Sequence, residues 1–182
     1  MKSACVAVIL CEALLSVEGQ PSNGYAEYST RQIKALSTQQ VDDLLEGRGM
    51  GLSLPAELNG VPGPRHVLEL RDRLALTWKQ VSDIERLAGE MKQEAQRLGQ
   101  SIVSAERDLD RTFKEQSADE ASIRLATAKL ASLNGDLRAL HLGAHIKTRR
   151  FLTDAQIWAY DATRGYAMPA TMEVHDHATH LH

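Results

Sequence analysis

Seven histidines carry most of the chemistry this chain could do, and six of them fall in two groups. His175, His177, His180 and His182 crowd the last eight residues, beside Glu173 and Asp176. Neutral imidazoles at that density take up Zn²⁺, Ni²⁺ or Cu²⁺. The competing reading is a solubilising tail with incidental metal affinity. His141 and His145 are four residues apart, so on a helix they share one face and can share one ion. Two ligands do not complete a site. His66 or Glu57, from the ordered connector, could supply the rest if the fold brings them close, and a simply packed or surface histidine pair is the plainer reading.

Cations form the other candidate surface. Arg65, Arg71 and Arg73 cluster in one short stretch, and Lys147, Arg149 and Arg150 in another. Beside Leu68, Leu74 and Phe151, such charges would draw in partly unfolded proteins, first by electrostatics and then by apolar contact. Solvated helix faces balanced by nearby acids explain them equally well. Trp78 and Trp158 read as packing residues. No enzyme signature is present: there is no Gly-rich phosphate loop, no HExxH, and no nucleophile in a known context. The carboxylates sit at i,i+4 spacing from Lys and Arg on helix faces. A formal charge of −3 over 182 residues gives no footing for nucleic-acid binding.

The elements that must position these groups are helices. Aromatic residues make up 4% of the chain, and aliphatic stripes recur at three- and four-residue steps. Ile33 and Leu36 open a first pattern running through Val41, Leu44 and Leu45 to Gly47. Gly49 to Pro64 reads as an ordered connector with a short helical turn at Ala56 to Leu58, and Pro64 as the first residue of a short helix reaching Leu76. A long helix is expected from Trp78 to Glu115, with Ile84, Met91, Leu98, Ile102 and Leu109 on its stripe. After a turn at 116–119, with Ser117 and Glu120 spaced as a capping box, a second stripe runs from Ile123 through Leu130 and Leu137 to Ala144. The fold predicted is all-α: a long antiparallel helical hairpin, roughly 55 Å long, with short flanking helices. Asn134-Gly135 is placed to bend or break the second long helix, and a last helix should start at Thr153 and fade near Gly165. A lone hairpin leaves apolar surface uncovered, which favours a homodimer.

The first 19 residues read as an export signal, with Lys2 ahead of an apolar run and small Val17 and Gly19 at the cleavage positions. Glu12 interrupts the run, so the rival is an uncleaved inner-membrane anchor through residues 3–17, the one route by which the chain would meet a membrane. Cys5 and Cys11 both lie in this segment, leaving the remainder without thiols. The domain plan is then a signal peptide at 1–19, a polar lead at 20–28, a helical domain at 29–166 and a flexible His-rich tail at 167–182.

One pattern occurs three times: Leu36-Ser37-Thr38-Gln39-Gln40, Leu76-Thr77-Trp78-Lys79-Gln80 and Leu152-Thr153-Asp154-Ala155-Gln156. Mechanically it is a capping box, in which Ser37, Thr77 and Thr153 accept from the N–H three residues on. Gln40, Gln80 and Gln156 reach back to the cap N–H, each box contributing about 1 kcal/mol. The repeat resembles the LTxxQ signature of the Spy/CpxP family of periplasmic proteins, related to the heavy-metal-resistance proteins ZraP and CnrX. The stretch from Gly49-Met50-Gly51-Leu52 through Pro62-Gly63-Pro64-Arg65-His66-Val67-Leu68-Glu69-Leu70 is similar to a subgroup of such proteins. The resemblance covers roughly residues 30–166. It implies a dimeric helical cradle in the periplasm, acting as an ATP-independent chaperone or an envelope-stress accessory that binds unfolded proteins or a signalling partner. The alternative it implies is a heavy-metal-binding resistance or sensor protein using histidines.

Overall fold

The computed structural model describes residues 24–166, so the N-terminal segment and the histidine-rich tail lie outside the described residues. Among the described residues the chain forms seven helices and no strand beyond one isolated bridge between Ile33 and Leu36. These are α1 (Ala26–Ser29), α2 (Thr38–Glu46), α3 (Leu54–Glu57), α4 (Pro64–Glu69), α5 (Trp78–Lys114), α6 (Glu120–Arg149) and α7 (Asp154–Arg164).

The three repeated motifs build their helix starts as their chemistry dictates. Ser37, Thr77 and Thr153 stand at the N-caps of α2, α5 and α7, and each forms the full reciprocal capping box with Gln40, Gln80 or Gln156. Ile33 and Leu36 precede the first cap and form a turn instead of the first part of the helix. Gly47 closes α2 in the left-handed conformation, φ +68°, which a residue with Cβ adopts only under strain.

The fourth start differs from the expected box. Gln116 takes φ +54° and carries the turn on, so that Asp119 caps α6 and exchanges hydrogen bonds with Ser122. The Ser117 hydroxyl bonds back to the carbonyl of Thr112. At Asn134-Gly135, α6 continues unbroken for its 30 residues. The Asn134 amide donates to the Leu130 carbonyl, while buried Leu130 and Leu137 hold the helix against α5 on either side. The helix from Pro64 is shorter than expected: it ends at Glu69, and the chain turns through Ala75 at φ +46° before the α5 cap.

Two apolar cores position everything else. The larger joins Ile33 and Leu44 to Ala95, Leu98, Ile102 and Val103 of α5 and to Leu130 and Leu137 of α6. Gly99 makes the α2–α5 crossing possible, since a Cβ there would lie deep inside contact distance of the Leu44 carbonyl. The smaller core packs Val67, Leu74, Ile84 and Tyr160, joining α4, the start of α5 and α7. Full burial of a side chain such as Ile84 contributes about 1.5–3 kcal/mol. No described helix is long and apolar enough to cross a membrane.

Candidate functional site

The connector between α2 and α5 is stitched to α6 and α7 by one carboxylate. Glu57 is 4% exposed, although it lies in a stretch with no Lys or Arg within four residues. Its oxygens accept from the Tyr160 hydroxyl, the Tyr166 hydroxyl at 3.0 Å, His66 Nδ1 at 3.1 Å and the Gly63 amide at 3.2 Å. Arg164 stands 3.8 Å away. Burial pushes this carboxyl up, but the hydrogen bonds from His66, Tyr160 and Tyr166 outweigh it and hold the group down at about 2. Burial and the Glu57 charge push the Tyr160 hydroxyl far up, which keeps it a donor. Asp161, a second buried acid, is pushed up by burial and then by Glu57, against the pull of Arg149, and its Oδ1 has no partner.

Beside this hub runs an open groove of about 590 Å³ between the connector and the two long helices. His141 and His145 of α6 line it together with His66 and Glu57, and Met50 and Met91 add thioethers. His145 donates through Nδ1 to the Val61 carbonyl at 2.7 Å, so in the neutral ring Nε2 keeps its lone pair. That edge packs on Gly63, where a Cβ would come within 2.6 Å of Nε2. His141 is 4% exposed, and its Nε2 is buried with no hydrogen-bond partner. Burial, and after it His145, lowers the His141 pKa, which favours the neutral ring that ligates metals.

The expected metal residues are therefore divided. His141, His145, His66 and Glu57 are brought to one groove, whereas His175, His177, His180 and His182 lie outside the described residues. Among the described residues, no three His, Cys, Asp or Glu side chains converge as a metal-holding group.

The expected cationic surface is reshaped. Leu74 is 3% exposed and belongs to the smaller core, so it is not a contact for other proteins; its position between α4 and α7 buries it. Leu68 is half-buried against the same core. Arg149 donates to the Gly60 carbonyl at 2.6 Å, Arg65 pairs with Glu69 and Arg71 with Asp72. Arg73, Lys147 and Arg150 are exposed. The tryptophans reverse their expected role: Trp78 is 92% exposed and Trp158 58%. Trp78 opens α5 at its first position and Trp158 sits on the outer face of α7, so neither core claims them.

Two features exceed what the motifs disclosed. The capping glutamines also bind each other: Gln80 Nε2 donates to Gln156 Oε1 at 2.8 Å, and Gln156 Nε2 to Gln80 Oε1 at 3.2 Å. The same amide nitrogens reach the carbonyls of Phe151 and Leu74. The starts of α5 and α7 are thereby joined, with an exposed tryptophan two residues from each glutamine. The other feature is the Glu57 hub, whose only sequence signal is an acid isolated among Leu, Pro and Val. Compared with known proteins, the chain matches no family model, no curated protein and no solved structure.

Proposed function

We propose that this protein is an exported, ATP-independent binder of partly unfolded proteins, of the kind the LTxxQ repeats resemble. The observation that carries the reading is the exposure of Trp78 and Trp158 beside the glutamine bridge. Large aromatic side chains held outside a well-packed frame serve contact with another molecule more readily than stability. Ile146, Phe113 and Leu125, each more than half exposed, are further apolar side chains on the long helices, and Arg73, Lys147 and Arg150 supply cations. In this reading residues 1–19 direct the chain to the periplasm, and two copies of the α5–α6 hairpin form a dimeric cradle. The test is aggregation of a chemically denatured client protein, followed by light scattering without ATP. Suppression that falls when Trp78 and Trp158 are both replaced by Ala supports the reading. No suppression at several-fold molar excess sinks it.

A second reading has its own observation. The buried, unpartnered Nε2 of His141, in a groove shared with His145, His66 and Glu57, favours binding of Zn²⁺, Ni²⁺ or Cu²⁺. Calorimetric titration of the full chain with each ion tests it, and absence of binding for all three removes it.

A further inference from the structure

The charged side chains that line the groove are unevenly matched. Glu46 and Arg48 pair with each other at 2.5 Å. Lys92 makes no ion pair among the described residues, and Arg65 holds only Glu69, across an exposed i,i+4 contact. Such a contact contributes about 0.3–0.5 kcal/mol and opens readily. Against Lys92 and Arg65 stands Glu57, whose oxygens already accept from Tyr160, Tyr166, His66 and the Gly63 amide. The lining is left with one positive charge in excess.

The unengaged polar groups of the wall are donors. Gly49, Met50 and Gly51 line the groove in succession, and none of their amides meets an acceptor among the described residues. His141 adds an imidazole N–H. Its Nε2 is sealed in without a partner, and a buried orphan acceptor is tolerated better than a buried orphan N–H. Burial keeps the ring neutral, so its single proton belongs on Nδ1. That edge faces the glycine-rich loop: a Cβ on Gly49 would lie 3.9 Å from both Nδ1 and Cε1. Cations, free amides and an imidazole N–H along one wall call for a charged acceptor. The remaining lining is apolar, with Met50 41% and Leu54 53% exposed, and Met91 beside them. Small-molecule sites occupy about 300–1,000 Å³, and the groove's volume of about 590 Å³ falls within that range.

We propose that the groove binds a small amphipathic carboxylate. Its head is held by Lys92, Arg65, the amides of residues 49–51 and His141 Nδ1, and its apolar tail lies along Met50, Leu54 and Met91. One surplus positive charge matches a singly charged head, which favours a carboxylate over inorganic phosphate. The site needs neither the exposed tryptophans nor a metal.

The experiment titrates octanoate into the full chain, in a Cys5→Ser/Cys11→Ser background with EDTA present, followed by calorimetry and by NMR of the imidazole rings. Octanol and inorganic phosphate are titrated in parallel, the first supplying the tail without the charge and the second the charge without the tail. Two variants accompany them, Lys92→Ala/Arg65→Ala and Trp78→Ala/Trp158→Ala, all at exposed positions whose truncation leaves both cores intact. The expected result is one saturable octanoate site per chain, with shifted His141 ring signals. Octanol, phosphate and the Lys92/Arg65 variant should each bind more weakly by about tenfold, and the tryptophan variant should bind unchanged. Octanol binding as tightly as octanoate overturns the charged head site, and phosphate binding as tightly overturns the apolar half. Stationary His141 signals, or binding lost with the tryptophans, place the ligand on another surface and overturn the assignment. So does the absence of saturable octanoate binding. EDTA keeps metal ions out, so each of these failures leaves the metal reading standing.

Discussion

Replacing Glu57 with Gln preserves the shape of the hub and removes its charge. Four donors converge on this carboxylate: Tyr160, Tyr166, His66 and the Gly63 amide. A hydrogen bond to a charged acceptor contributes about 1.5–3 kcal/mol, against about 1 kcal/mol for a neutral one. The amide also turns its NH₂ toward groups that themselves donate. The pKa gives a second route to the magnitude. The carboxyl falls from 4.5 to about 2 on folding, worth on the order of 3 kcal/mol at full burial and about 2 kcal/mol after solvent screening. Both routes put the loss for Glu57→Gln at about 2–4 kcal/mol at pH 7. The sign follows from the direction of the shift. A depressed acid stabilises the fold fully above its unfolded value of 4.5, and this contribution drains away as pH falls toward about 2. Urea unfolding of both proteins by far-ultraviolet circular dichroism, in steps from pH 7 to pH 2, reads the gap directly. It should be widest at pH 7 and close between pH 4.5 and 2. A gap below about 0.5 kcal/mol at pH 7, within the scatter of ordinary surface substitutions, refutes the hub. So does a gap that persists unchanged at pH 2.

Glycine substitutions separate close packing from open helix surface. Gly99→Ala drives a methyl into the Leu44 carbonyl and should lower stability by about 1–3 kcal/mol or more, while Gly135→Ala, with nothing within 4 Å of its Cβ, should gain about 1 kcal/mol in thermal melts. Gly63→Ala crowds His145 Nε2, and the ring's NMR signals should move with a loss of stability. Removing the Trp78 side chain should leave the melting temperature nearly unchanged, since 92% of the residue is already in water. His141 has a lowered pKa, so it binds protons less readily folded than unfolded. It should therefore withdraw stability as pH falls below its ordinary 6.5, an effect that His141→Gln abolishes in the same titration.

What the sequence disclosed and what it withheld divide by distance along the chain. The caps at Ser37, Thr77 and Thr153 involve partners three residues away, and residue type with spacing was sufficient to place them. The start of α6 went astray because Ser117-x-x-Glu120 and Asp119-x-x-Ser122 both satisfy a local box. The left-handed turn at Gln116 selects the second. Periodicity named the core faces of α5 and α6, but it assigned Trp78 and Trp158 to packing because hydrophobic character says nothing about what lies opposite. Leu74 erred the other way, since only the arrival of α7 buries it. The pairing of His141 and His145 was legible from their four-residue spacing. Their meeting with Glu57 and His66 depends on a connector whose course periodicity does not encode.

The glutamine bridge has a kinetic meaning. Gln80 and Gln156 are 76 residues apart in sequence, so their amides meet only after the whole α5–α6 segment has been laid down and folded back. Contacts at that separation carry a large loop-closure cost and form late, whereas helix pairing across the 115–119 turn needs little. The bridge then acts as a bolt drawn after the door has shut. Cutting it with Gln156→Ala should leave the rate of folding almost untouched and speed unfolding, shortening the lifetime of the native state.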